Sequence, residues 1–243
     1  MTLAGRRALV TGGAVRLGRD IALGLADRGA QVAIGYHASR EGAAETAAEL
    51  ARRGAGGHAF RADVGDVAAA RRLVDEAAAA LGGLDVLVHA ASAAFVGRPA
   101  LELDETMWDA AVDSTLKGGF FCAQAAARHM GEAGGTIIFI TDVAGIEPWP
   151  SFAAHGAAKA GLIYLTKALA RAWGPGIRVC GVAPGTVLLS EGASEATVAE
   201  SAGQTALDRV GTPEDVVEAV AYLLDAQYVT GTQLVVDGGR LLL

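Results

Sequence analysis

The sequence predicts an α/β protein built on a doubly wound, seven-stranded, mostly parallel sheet with helices on both faces. Two observations carry that reading. Apolar runs of four to eight residues recur along the 243-residue chain, and each is closed by a glycine or polar turn that leads into an alanine-rich stretch of helical length. Such alternation is the mark of βαβ units, because parallel neighbours need a crossover long enough to return to the same end of the sheet.

In chain order, the strands read as 7–12 (RALVTG), 31–36 (QVAIGY), 57–63 (GHAFRAD), 85–90 (DVLVHA), 135–141 (GTIIFIT), 177–184 (IRVCGVAP) and 232–238 (TQLVVDG). The helices between them read as 17–28, 40–53, 67–81, 104–131, 151–173 and 213–224. Gly29, Gly54, Gly131 and Gly174 stand where a left-handed residue closes a helix. Neither a repeat nor a linker divides the chain, so residues 1–243 read as one domain. The long stretch 186–212, rich in Ser, Ala and Glu, shows no clear strand and is expected to cover substrate.

Composition narrows the function classes. A net charge of −7 gives no basic face for nucleic acid. No apolar run is long enough for a bilayer span, and the N-terminus lacks the apolar core of a signal peptide. The two cysteines, Cys122 and Cys180, stand in separate apolar runs, as buried reduced thiols do; a soluble protein of the reducing cytoplasm with no metal site is expected.

The first strand runs into TGGAVRLG (11–18) and then directly into a helix. Glycines there let backbone approach a pyrophosphate, and the helix N-terminus stabilises its charge. An acid closing the second strand would hold the 2′-hydroxyl of NAD, but GYHASRE has none until Glu41. Arg16, Ser39 and Arg40 are instead placed to converge on a 2′-phosphate, so NADP(H) is the expected cofactor.

TGGAVRLG, ADV (62–64), VHAAS (88–92), HGAAK (155–159), VAPG (182–185), RVGTPEDV (209–216) and VTGTQLVVDGG (229–239) together resemble the short-chain dehydrogenase/reductase family over nearly the whole chain. The resemblance implies a Rossmann-type fold. It also implies that Asp63 and Val64 flank the adenine, that Ala90 and Thr186 lie on the nicotinamide side, and that Gly12, Leu17, Gly18, His37, Ala91, Lys159, Pro184 and Gly185 add cofactor contacts. Subunits of the family pair through helices matching 104–131 and 151–173, which implies a homotetramer or homodimer.

At the catalytic positions the family pattern is broken. Lys159 matches the lysine, but His155 stands at the tyrosine, Asp142 at the serine and Thr115 at the asparagine. Arg16 within the glycine motif and Asp142 resemble the pteridine reductase branch, which nevertheless keeps the tyrosine. Tyr164, nine residues beyond His155, falls on the opposite helix face. His155 and Lys159, four apart, share one face. A neighbouring carboxylate such as Asp142 favours the imidazolium, a general acid; burial and the Lys159 ammonium favour the neutral ring, a base.

The resemblance implies NADP(H)-dependent reduction of a C=O or C=N bond in a small molecule, either pterin-like or a ketone. Two alternatives stand beside it: a cofactor-binding protein with little redox activity, and a histidine-based lyase or isomerase. His89, where the family usually has asparagine, is expected to hydrogen-bond a turn; Trp149 and Phe152 are expected either to wall an apolar substrate pocket or to anchor their loop.

Overall fold

A computed structural model describes residues 3–93, 97–189 and 192–243. Its seven strands are β1 (Arg7–Thr11), β2 (Gln31–Tyr36), β3 (Gly56–Arg61), β4 (Val86–His89), β5 (Gly135–Ile140), β6 (Ile177–Pro184) and β7 (Gln233–Val236). They form one sheet in the order β3-β2-β1-β4-β5-β6-β7, and every pairing is parallel. The strand order reverses between β1 and β4, where open sheets of this kind leave a crevice beyond the strands' carboxyl ends.

Alternating side chains sort the sheet into two cores. Val10, Ile34, Val88, Ile138 and Val182 face one layer, where α1 (Arg16–Asp27), α2 (Arg40–Arg52) and the helix Pro213–Asp225 bring Ile21, Leu50 and Val220. Leu9, Ala33, Leu87, Ile137 and Val179 face the other, against Leu73 of α3 (Val67–Leu81), Cys122 and Leu162. Burial on both faces explains the near-continuous apolar runs. Each such leucine, isoleucine or valine contributes about 1.5–3 kcal/mol by leaving water.

The predicted helix 104–131 is α4 (Glu105–Val112), a π-helical turn (Asp113–Lys117) and α5 (Gly118–Met130). Apolar periodicity registers the face such a helix buries but not one extra residue in a turn. Residues 151–152 belong to a short 3-10 turn, and α6 runs over Ala153–Trp173. Within 186–212 lies a helix the sequence reading missed, α7 (Glu195–Gly203), ahead of α8 (Pro213–Asp225). It buries no residue, so it has no apolar stripe to read; its sequence signal is the cap, Ser194 Oγ accepting from the Thr197 N–H at 3.1 Å.

Gly29, Gly54 and Gly131 have the expected positive φ, at 93°, 73° and 48°. Gly174 does not: at φ −68° and ψ 151° it leaves α6 in an extended conformation. Among the described residues no helix is long and apolar enough to cross a membrane. Cys122 and Cys180 are buried free thiols, and burial pushes Cys122 up to about 12.

Candidate active site

The turn from β1 into α1 is built by close approach. Gly12 has φ 69°, and a Cβ there would lie 2.9 Å from the Ala91 backbone; one on Gly18 would lie 2.1 Å from the Gly12 carbonyl oxygen. This is the cradle a pyrophosphate requires, with α1 starting at its edge and no side chain capping its first N–H groups. Leu17 is half-buried against the adjoining core. Arg16 is exposed and holds φ 52°, a left-handed backbone on a non-glycine residue.

The loops after β1 and β2 touch. A Cβ on Gly42 would meet Val15 Cγ1 at 2.6 Å, and Thr46 Oγ1 donates to the Ala14 carbonyl at 3.0 Å. Arg16 and the pair Ser39 and Arg40 therefore rise from adjoining loops at the carboxyl ends of neighbouring strands. His37 is exposed, and its carbonyl accepts from Arg61 Nε at 3.2 Å. Asp63 is exposed with Oδ1 on the Gly65 N–H at 2.9 Å, and Val64 is buried beneath Gly118. Ala90 and Ala91 cover the end of β4, while Pro184, Gly185 and Thr186 follow from β6. Gly185 is pressed on Asp237, and Thr186 accepts through its carbonyl from the Gly211 N–H at 3.0 Å.

The chemistry end sits beside this crevice on α6 and the end of β5. Lys159 is 4% exposed, and its Nζ donates to the Ile140 carbonyl at 2.8 Å. Burial pushes the ammonium down to about 8, opposed by the Asp142 charge. His155 Nε2 lies 3.2 Å from Asp142 Oδ2, while Asp142 Oδ1 accepts from the Ala144 N–H at 2.8 Å. Both carboxylate oxygens are thus engaged, and Asp142 holds the imidazole and its own turn together. Gly145 and Gly156 make that juxtaposition possible: a Cβ on Gly145 would stand 2.8 Å from the Ala160 nitrogen, and one on Gly156 2.8 Å from the Ala144 oxygen. Tyr164 is 71% exposed on the far side of α6, as its spacing predicts.

Thr115 is buried in the π-helical turn, with its hydroxyl 3.1 Å from that of Ser92. Its carbonyl lies 3.1 Å from His89 Nε2. His89 Nδ1 is 2.9 Å from Thr11 Oγ1, which also accepts from the Ala91 N–H at 3.3 Å. The Thr115 carbonyl can only accept, so Nε2–H donates to it, and the Thr11 hydroxyl donates to the unprotonated Nδ1 of the neutral ring. His89 is fully buried and neutral; burial, helped by the Lys159 charge, pushes it down to about 4. It ties the switch point between β1 and β4 to the π-helical turn, which is more than the simple turn contact the sequence suggests. Thr11 and Ser92 are the members that sequence reasoning missed; their one signal is a hydroxyl at a strand's carboxyl end.

A family profile described as enoyl-(acyl carrier protein) reductase matches residues 13–240. Together with the β1–α1 cradle and Lys159 of α6 hydrogen-bonded to the end of β5, that match decides the family. The chain belongs to the short-chain dehydrogenase/reductase family. It is 40% identical to cis-4-hydroxycyclohexanecarboxylate dehydrogenase of Sinomonas cyclohexanicum over 96% of both chains. It is 36% identical to the 3-oxoacyl-[acyl-carrier-protein] reductase FabG of Staphylococcus aureus, over 96% of this chain and 97% of the relative. A short chain dehydrogenase from Burkholderia cenocepacia J2315, solved in complex with NADP, superposes with a TM-score of 0.90 over 99% of both chains at 34% identity. The wholly parallel seven-stranded sheet is the fold these short-chain dehydrogenase/reductase structures share.

Proposed function

We propose that the protein reduces a ketone carbonyl of a small molecule with NADPH, using His155 as the proton donor. The observation that carries this reading is the Asp142–His155 contact at 3.2 Å, one helical turn from buried Lys159 and beside the glycine cradle. NADPH, when bound, supplies the hydride that reaches the carbonyl carbon. Gly12, Leu17 and Gly18 receive its pyrophosphate, and Arg16, Ser39 and Arg40 its 2′-phosphate. His37, Asp63 and Val64 border the adenosine, while Ala90, Ala91, Pro184, Gly185 and Thr186 border the nicotinamide. The Burkholderia structure's NADP supports this choice of cofactor.

Lys159 holds the ribose as a cation. His155 gives a proton to the carbonyl oxygen, and Asp142 fixes its ring and offers a counter-charge 3.2 Å away. Because Asp142 accepts the Nε2–H, Nδ1 is the ring atom that gains and loses the second proton. Thr115 and Ser92 border the substrate side with their paired hydroxyls. Residues 186–189 and 192–212, with α7, form a substrate cover within a single domain; positions 190 and 191 of that stretch lie outside the described residues.

The names of both relatives point to oxo or hydroxy carbon centres, which favours a ketone over a pterin. Paired subunits are proposed through α4, α5 and α6; Met107 and Trp108 of α4 stay exposed.

The test is deuteride transfer from 4-deuterated NADPH to a panel of cyclic ketones, 3-oxoacyl thioesters, pterins and imines. Deuterated alcohol from a ketone, lost in His155→Ala, is the expected result. No transfer from wild type with gain in His155→Tyr overturns it in favour of a silenced reductase, and transfer only to pterins overturns the substrate class.

A further inference from the structure

We propose that Arg240 recognises a carboxylate on the substrate, so that the preferred substrates are apolar keto acids. This deepens the reductase reading above and rests on it. Arg240 opens the last turn, Arg240–Leu242, directly after β7. That turn is pinned by Asp237, whose carboxylate accepts from the N–H groups of Gly239 and Leu241 at 2.8 and 2.9 Å. The guanidinium carbon lies 4.8 Å from the centre of the Trp149 ring, and Nη1 donates to Gln204 Oε1 at 2.5 Å. The C-terminal turn, the aromatic ring and the end of α7 hold the guanidinium in one orientation.

In that orientation its Nε is buried and has no hydrogen-bond partner among the described residues. A buried donor without an acceptor is costly, and donors left in this state call for a ligand or an explanation. Arg240 lines a cavity of about 350 Å³ together with Trp149, Ser151, Phe152 and Glu147. Phe152, in the cavity wall, immediately precedes α6 and stands three residues ahead of His155 in the chain.

The chemistry of the lining selects the ligand. The Nε–Nη2 edge of guanidinium matches the two oxygens of a carboxylate. Trp149 and Phe152, with ring centres 5.9 Å apart, provide apolar walls for a ring or short chain. Glu147 is exposed at the rim and accepts from Trp149 Nε1 at 3.4 Å, so an entering anion meets one like charge. A monoanion suits this balance better than a phosphate dianion, and a neutral carbonyl lacks the charge and the second equivalent oxygen of a carboxylate.

The probes are 4-oxocyclohexanecarboxylate and its methyl ester, titrated calorimetrically into the NADP⁺ complex and assayed for reduction with NADPH. Wild type is expected to bind the acid at least about 10-fold tighter than the ester, the order of one charge-assisted hydrogen-bond pair. In Arg240→Gln the acid-to-ester ratio collapses toward one, and Arg240→Lys restores part of it. The Arg240 Nε–H resonance moves with the acid and not with the ester, a readout that a purely structural arginine does not give. Melting curves and NADP⁺ affinity verify that both variants fold. Failure to bind the acid, equal binding of acid and ester, or a preference that survives in Arg240→Gln overturns the proposal. Preferential binding of the acid with no reduction of either probe overturns the reductase reading and leaves the carboxylate site standing.

Discussion

His89 makes the fold sensitive to acid in a defined window. The ring is neutral in the folded protein because burial and then the Lys159 charge push it down to about 4. In the unfolded chain it titrates at about 6.5. Between those values the unfolded state binds more protons, so stability is complete above about pH 6.5 and is lost as pH falls through 4. At pH 4.5 protonation lowers the free energy of the unfolded chain by about 2.7 kcal/mol, and of the folded state, with its pKa of about 4, by about 0.2 kcal/mol. The difference is about 2.5 kcal/mol, or roughly 5–10 °C of melting temperature at this chain length. Urea denaturation at pH 7.5 and 4.5, on wild type and His89→Asn, measures it. Other groups titrate alike in both proteins, so the wild type should lose about 2.5 kcal/mol more than the variant across this interval. Losses that agree within about 0.5 kcal/mol refute the neutral buried imidazole and the hydrogen-bond chain built on it.

Four further outcomes follow from the site. Lys159, pushed down to about 8 chiefly by burial, should lose its proton near that pH, so NADPH affinity falls above about pH 8 in wild type and the fall vanishes from this range in Lys159→Arg. Asp142→Asn should lower kcat by roughly 10- to 100-fold, the scale of a displaced general acid, with NADPH affinity held within a few-fold. Arg16→Gly should raise stability by about 1 kcal/mol by relieving the left-handed arginine, and should weaken NADPH but not NADH binding; equal effects on both cofactors sink the 2′-phosphate role. Gly12→Ala should abolish NADPH binding measured by fluorescence, because its Cβ would stand 2.9 Å from the Ala91 backbone at φ 69°.

What the sequence made legible was whatever local chemistry specifies. The strands were readable because residues such as Leu9 and Val10 are buried on opposite faces, which leaves an unbroken apolar run. The glycine turn was readable because Gly12 and Gly18 have no room for a side chain. The spacing of His155, Lys159 and Tyr164 fixed their helix faces, and Asp142 did come into contact with His155. The π-helical turn was not readable, since the Thr115 carbonyl finds its partner in His89, 26 residues away. Nor was the distance between Asp142 and His155, which depends on Gly145 and Gly156 letting two backbones meet. Arg240 escaped notice because an arginine after two glycines resembles any solvated terminus until Trp149 and Gln204 are set beside it.

The seam between β1 and β4 also bears on how the molecule is assembled. Residues 7–61 supply the strands on one side, and residues 86–236 those on the other; across the seam Thr11 meets His89 from 78 positions away. Contacts that distant form late, since loop-closure entropy must be met before they return any stabilisation. The cradle needs Gly12 from the early half and Ala91 from the late half, so neither half alone completes it. Cofactor affinity in this protein is therefore a report on the whole sheet having closed, gained in one event during folding.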